Sequence, residues 1–327
     1  MKIQWIEKIV ADGNHNAFTS LTLFRGRYYL VFRKGVKHSD DQGTQVVMIS
    51  EDGRQWNTIH EKRGLIKVGP GLATDYRDSA FLALADELRL YSFSTPFDSS
   101  GDPLPREIEA TVQVSRDGST WSEPEVISQG IVQWKPIFWK DQFWCAGYHR
   151  EPHPNPSVVE LYHSLDGLTW SSKGRIAVGT ETALVPTEEG FRAFVRTKPE
   201  PRHLEIWECG KDFSSWKKAG VIPKAIQAPH IQFIDGACYL IGRELEPLPR
   251  NSARRRTKIW KIEENAAIEL LELPSCGDTS YAGTVLTPHG TMLVSYYSQH
   301  EITDPNPLVD NPNSKPADLF VASIALH

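Results

Sequence analysis

The chain has 327 residues, 40% hydrophobic and 24% charged, enough to bury a substantial core and too apolar for disorder. A formal charge of -5 argues against a nucleic-acid binder, which carries a basic face. No run approaches the ~20 apolar residues that a membrane helix needs, so neither nucleic acid nor membrane is an expected partner.

The amino terminus lacks the apolar core of a secretory signal, which makes a cytoplasmic location the expectation. It alternates instead, with Ile3, Trp5 and Glu7 on one side and Gln4, Ile6 and Lys8 on the other, and reads as a strand over 2–9. Six hairpins then follow in chain order: 18–24 with 28–33, 80–85 with 88–94, 137–139 with 143–150, 183–186 with 191–196, 231–234 with 237–243, and 284–286 with 291–297. Their strands are β-branched and aromatic, and tight turns such as Arg25-Gly26-Arg27 and Asp235-Gly236 separate the partners. Successive hairpins begin roughly 45 to 62 residues apart, the length of a four-stranded blade.

A second repeat interleaves with the hairpins. Ser50, Asp52, Gly53 and Trp56 recur as Ser115, Asp117, Gly118 and Trp121, again as Ser164, Asp166, Gly167 and Trp170, and in worn form as Asp212 and Trp216. Each copy makes a turn in which Asp bonds backbone amides, Gly takes positive φ and Trp packs over the top. Asp52, Asp117 and Asp166 are therefore structural. The last segment, 318–325, supplies a third strand to the sixth blade, and the first strand completes it, removing a free edge. With no Gly, Ser or Pro linker, residues 1–327 read as one all-β domain, a six-bladed β-propeller closed by its N-terminal strand.

In a propeller the innermost strand of each blade begins at the top face and the second ends there. First-strand entries place His15, Asn16, Tyr76, Arg77, Asp78, Trp134, Lys135, Glu181, His230 and Tyr281 around the top centre. Second-strand exits add Arg33, His149, Arg150, Arg196, Arg243, Tyr297 and His300. Converging charges must be desolvated and paired, so this pattern points to a ligand site. Arginines favour an anionic or polyhydroxylated ligand, because the planar fork holds carboxylates bidentately. Pairing with neighbours such as Glu151 or Glu244 is the structural alternative. Loops over 95–109, 244–257 and 299–317 would build the top surface, with Arg254, Arg255 and Arg256 as a basic rim. No cofactor or metal is expected, since the histidines show no ligand spacing and Cys145, Cys209, Cys238 and Cys276 form no CxxC pair. Two of those cysteines lie in apparent strands, as packed thiols.

The Asp-turn repeat is the Asp box, and through it the whole chain resembles the sialidase (neuraminidase) superfamily. The resemblance implies that Glu181 is the glutamate activating a nucleophile, that Arg196 and Arg243 are two of three carboxylate-binding arginines, and that Tyr281 is the nucleophilic tyrosine. Asp40 or Asp41, in the first blade's top loop, is then the general acid; a hydrolase would also place Asp78 or Asp40 as the carboxyl opposite Glu181. The first blade departs from that pattern, opening with His15-Asn16-Ala17-Phe18 where the superfamily carries its first arginine. Arg33 or Arg77 is the candidate replacement. The functional expectation is a glycoside hydrolase acting on an acidic or other non-sialic glycan. The alternatives are a polysaccharide lyase using Tyr or His with Arg on a uronate, and a glycan-binding propeller without catalysis. A carbohydrate is the expected partner in each.

Overall fold

The computed structural model describes residues 1–41, 43–63, 73–98, 100, 102–104, 107–149, 156–198, 202–248, 252–302 and 312–326. The chain opens with β1 (Lys2–Val10) and continues into blade 1: β2 (His15–Phe24), β3 (Arg27–Gly35), β4 (Thr44–Ser50) and β5 (Asn57–Arg63). Blade 2 is β6 (Ala73–Ala83), β7 (Leu88–Phe97), β8 (Glu109–Ser115) and β9 (Glu125–Gln129). Blade 3 is β10 (Ile131–Trp139), β11 (Gln142–His149), β12 (Val158–Ser164) and β13 (Ser171–Val178). Blade 4 is β14 (Thr180–Pro186), β15 (Phe191–Arg196), β16 (Leu204–Cys209) and β17 (Trp216–Ile222). Blade 5 is β18 (Ile226–Ile234), β19 (Ala237–Leu248), β20 (Ser252–Glu263) and β21 (Ala266–Glu272). Blade 6 is β22 (Ser280–Leu286), β23 (Thr291–Ser298) and β24 (Asp318–Ala325), with β1 as its outer strand in the order β1-β24-β23-β22.

This is the six-bladed, four-stranded antiparallel propeller expected from the repeats, and β1 pairs with β24 from Lys2↔Ala325 to Val10↔Leu319. Cores form between blades, where aromatic and branched residues on facing strands interlock, as with Phe24, Tyr29, Val31, Val47, Leu88 and Leu90 between blades 1 and 2.

The Asp-centred turns join β4 to β5, β8 to β9 and β12 to β13. In each, the carboxylate accepts two backbone N–H groups, from Arg54 and Gln55, Ser119 and Thr120, or Leu168 and Thr169. These bonds hold the Asp52, Asp117 and Asp166 carboxyls below the usual carboxylate range. Trp56 and Trp170 donate from Nε1 to the turn-glycine carbonyl. In the worn copy Phe213 takes the glycine's left-handed conformation, with φ 56.

Those turns also lock blade to blade. Gly53, Gly118 and Gly167, at φ 76, 78 and 73, each lie against the second strand of the preceding blade. A Cβ added to them would stand 2.6 Å from Leu293 Cδ1, 1.9 Å from Tyr29 Oη and 2.2 Å from an Arg89 guanidinium nitrogen. Gly118→Ala is therefore expected to destabilise the protein by about 1–3 kcal/mol, through backbone strain and a blocked inter-blade contact. A fall in the denaturant midpoint at constant slope would show it; an unchanged midpoint would contradict this inter-blade role.

Two readings of the sequence change. The 244–257 stretch is no loop: β19 and β20 form a ribbon reaching Leu248↔Ser252, and Arg254 bridges Glu246 and Glu272 across it. Alternation along β20 makes Arg254 and Arg256 partners of Glu272 and leaves Arg255 facing the other way. Three cysteines, not two, lie in strands: Cys145, Cys209 and Cys238.

Candidate active site

All six innermost strands share one irregularity. The pairing with the second strand skips between Ala17 and Ser20, Arg77 and Ala80, Trp134 and Ile137, Thr180 and Thr182, Gln227 and His230, and Ser280 and Gly283. The residue at each bulge has positive φ: Phe18 (60), Asp78 (45), Lys135 (45), Glu181 (35), Ala228 (49) and Tyr281 (49). Pro136 and Pro229, which have no N–H to give, follow two of them, where the ladder is already broken. Non-glycine residues in this conformation cost of order 1–3 kcal/mol each and gather at functional sites. Four of the six carry titratable side chains, so the bulges re-aim chemistry into one ring.

Glu181 and Tyr281 meet across the axis. Tyr281 Oη donates to Glu181 Oε1 at 2.7 Å, the same oxygen pairs with Arg196, and Glu181 Oε2 accepts the Ala228 N–H at 2.8 Å. Burial opposes ionisation of Glu181, but Arg196, the Tyr281 hydroxyl and Arg243 outweigh it and bring its pKa down to about 2. Burial, with Glu181 and Asp78, pushes the Tyr281 phenol well above its usual range, against Arg243 and Arg196. The pair thus rests as a carboxylate holding a phenol's proton. The Arg243 guanidinium lies over the Tyr281 ring, 5.7 Å from its centroid.

A second hub is Asp278, on the turn before β22. Its Oδ1 accepts from Arg243 at 2.8 Å and Tyr297 Oη at 3.0 Å; its Oδ2 faces His15 Nε2 at 3.0 Å and His38 Nδ1 at 2.5 Å. Burial alone would raise this carboxyl, yet His38, His15 and Arg243 hold it well below the usual range. Arg77 approaches His38 Nε2 at 3.3 Å. A guanidinium can only donate, so Nε2 accepts and Nδ1 carries the proton toward Asp278. Burial lowers the His38 pKa to about 4 despite Asp278, with Arg77 and His15 acting in the same direction as burial.

The arginines divide by how fully they are used. Arg33 is spent on Asp75, Asp40 and the Lys37 carbonyl. Asp40 in turn accepts the backbone N–H groups of Val36 and Lys37, fixing the loop between β3 and β4. Arg77 lies over the Phe18 ring at 4.8 Å, only 3.7 Å from Asp75, and its Nε has no partner among the described residues. Arg255 faces Arg243, Asp278 and Tyr297; burial first, then Arg243, lower its pKa, and no described carboxylate pairs with it. Glu244 is taken by Lys224 and Lys258 rather than by an arginine of the rim.

Deeper in the channel, Lys135 Nζ donates to the Ala282 carbonyl at 3.1 Å and lies 3.4 Å from His230 Nδ1, while His230 Nε2 meets Thr284 at 2.7 Å. Burial brings Lys135 down to about 8, with Asp78 and Glu181 opposing. Burial, then Lys135, puts His230 well below its usual value.

The structure therefore brings Glu181, Tyr281, Arg196, Arg243, Tyr297 and Arg77 together, with Asp78 in electrostatic range and His230 beneath. His300 lies elsewhere, against Phe320 in the outer part of blade 6, and Arg150 falls outside the described residues. Sequence reasoning passed over His38, Asp278 and the inward aim of Arg255. Asp278 stands three residues before Tyr281 and His38 two before Asp40, so the rule that drew attention to those positions applied to both. His15, His38 and Asp278 also bring three possible ligand atoms within 4.8 Å of one another. A cation on Oδ2 would add positive charge beside the Arg243 held by Oδ1 and would force the His38 proton onto Nε2, against the N–H groups of Arg77, so the donor set fits a metal poorly.

No family model matches the chain, and no curated protein does. Solved structures do. A protein of unknown function from Dyadobacter fermentans is 19% identical, with a TM-score of 0.73 over 100% of this chain and 99% of that one. The Trypanosoma rangeli sialidase in complex with the inhibitor DANA is 12% identical, with a TM-score of 0.69 over 99% of this chain and 58% of that one. An ulvan lyase of polysaccharide lyase family PL25 is 14% identical, with a TM-score of 0.56 over 78% of this chain and 66% of that one. At these identities the likeness is one of fold. Propellers of this shape include glycan-active enzymes of more than one reaction class.

Proposed function

We propose that the protein is a glycoside hydrolase acting on an acidic glycan, with Tyr281 as nucleophile and Glu181 as its base. The observation that carries this reading is the 2.7 Å bond from the Tyr281 hydroxyl to Glu181, made by two bulge residues at the centre of the wheel. A phenol in this place attacks an anomeric carbon while its proton passes to the carboxylate, so no free phenolate forms. Tyrosine nucleophiles replace the second carboxylate in sialidases, whose substrates are themselves acidic. Arg77, whose Nε has no partner among the described residues, and Arg255, which no described carboxylate pairs with, favour a substrate carboxylate, and Arg196 supplies further donors.

Elimination from a uronate is the second reading. It is favoured by His38, which rests neutral with its Nε2 lone pair toward Arg77 and becomes a base once a substrate carboxylate draws that arginine away. Against it, the Tyr281 proton is already held by Glu181, where a leaving oxygen would need it.

Time-resolved NMR of the purified protein with aryl sialosides, aryl glucuronides and uronate oligosaccharides separates the two. The expected result is release of a sugar whose anomeric configuration is first retained, as two displacements require. An alkene signal would replace hydrolysis by elimination. Saturable binding of an acidic glycan without turnover would contradict both.

A further inference from the structure

The proposed hydrolysis also needs a group that gives a proton to the leaving oxygen and takes one from water. From sequence, Asp40 or Asp41 is the expected donor. In the structure Asp41 is exposed, and Asp40 is structural: it accepts two backbone N–H groups, pairs with Arg33 and is almost wholly buried. His38, on the same loop, is placed differently. Its side chain is 22% exposed, the most open of the Asp278 group. Its ring packs on Phe18 at 5.2 Å between centroids, and the Tyr281 ring packs on the same Phe18 at 4.8 Å. Its backbone N–H donates to the Asn313 carbonyl, tying blade 1's loop to the last blade. Asp278 fixes its Nδ1–H, so the ring cannot turn and Nε2 must face Arg77.

We propose that His38, oriented by Asp278, is the proton-transfer residue of this site; the inference rests on the Tyr281–Glu181 hydrolase reading. In the first step Tyr281 Oη bonds to the anomeric carbon and its proton moves to Glu181. The bond to the leaving oxygen breaks, and that oxygen takes the proton from Nε2 of the His38 imidazolium. In the second step water attacks the same carbon and gives its proton to neutral His38, while the Tyr281 oxygen departs and recovers its proton from Glu181. Every proton returns to its starting place.

The titratable and charged groups facing His38 are His15 from β2, Arg77 from β6 and Asp278 from the turn before β22. In the empty site Arg77 occupies Nε2 and keeps the ring neutral. A substrate carboxylate that pairs with Arg77 withdraws that donor and adds negative charge beside the ring, so Nε2 takes up a proton as the substrate binds. The same arginine thus recognises an acidic sugar and readies the acid, which makes turnover selective for carboxylated substrates. Neutral glycosides of the same shape leave His38 unprotonated.

The test compares His38→Asn and Asp40→Asn on the acidic glycosides of the NMR panel, each made as the 4-nitrophenyl and the methyl glycoside. A nitrophenolate leaves without protonation and a methoxide does not. His38→Asn is expected to lose about 10²–10⁴-fold in kcat/KM on the methyl glycoside and at most roughly tenfold in kcat/KM on the nitrophenyl one, whose kcat falls because the second step has lost its base. Azide is expected to restore turnover of the nitrophenyl substrate by His38→Ala, giving a glycosyl azide of retained configuration. Asp278→Asn should shift the pH profile while retaining the leaving-group dependence, because it only orients the ring. Equal losses in kcat/KM on both leaving groups, or the leaving-group dependence appearing in Asp40→Asn instead, would overturn the assignment of His38 and leave the Tyr281 reading standing. Loss of wild-type turnover on chelation, restored by Zn²⁺, would overturn it by making His15, His38 and Asp278 ligands. Undiminished turnover by Tyr281→Phe, or none of any panel member by the wild type, would remove the reading beneath it.

Discussion

Tyr281→Phe is expected to reduce turnover of an acidic aryl glycoside on the order of 10³-fold or more while leaving the fold intact. The substitution removes one oxygen. Glu181 keeps Arg196 and the Ala228 N–H, so no buried charge is abandoned, and the ring keeps its contacts with Phe18, Trp134 and Tyr297. A nucleophile lost from a well-filled site lowers kcat with little change in KM. Thermal unfolding within a degree or two of the wild type, beside collapsed turnover, is the expected pair of results. Retained turnover would show that the hydroxyl is only a hydrogen-bond donor to Glu181.

Glu181→Gln has two effects that separate by pH. It removes the base from Tyr281, with an expected loss of roughly 10²–10⁴-fold in kcat. It also strips a buried carboxylate from beside Arg196, Arg243 and Lys135, and breaking such a pair from one side costs about 3–5 kcal/mol. The sign of the pH dependence follows from the depressed pKa. Glu181 titrates at about 2 when folded against an ordinary 4.5, so its ionised form favours the native state. That contribution, about 3 kcal/mol, is complete above pH 4.5 and is lost as pH falls toward 2. The variant is therefore expected to be less stable than the wild type near neutrality and to converge with it in acid. Denaturant melts from pH 7 to pH 2.5 read this directly; a stability gap that does not narrow would contradict it.

The architecture was legible because its signals are local. The Asp52, Asp117 and Asp166 turns carry their own hydrogen bonds, and strand alternation carries the pairing, so blade number and closure by β1 could be read without long-range information. The ring of bulges was not legible as such. Phe18, Asp78, Lys135, Glu181, Ala228 and Tyr281 share no side-chain chemistry; what they share is a conformation imposed by crowding six strands around one axis. Only Pro136 and Pro229 mark it in sequence. Glu181, Tyr281, Arg196 and Arg243 were identifiable by position along their strands, and they meet. Asp278 and His38 lie on the rim loops just before Tyr281 and Asp40, but nothing local joins them, and their pairing spans 240 residues of chain. Arg255 looked like part of a basic loop until the β19–β20 ribbon set its alternation.

The most direct test of the central proposal is mass spectrometry of the protein incubated with 2,3-difluorosialic acid and with 2-deoxy-2-fluoroglucuronyl fluoride, which slow the second displacement. A sugar adduct on the peptide that carries Tyr281, absent from Tyr281→Phe, is the predicted result. An adduct on a carboxylate, or turnover of acidic glycosides with neither probe forming an adduct, would contradict it.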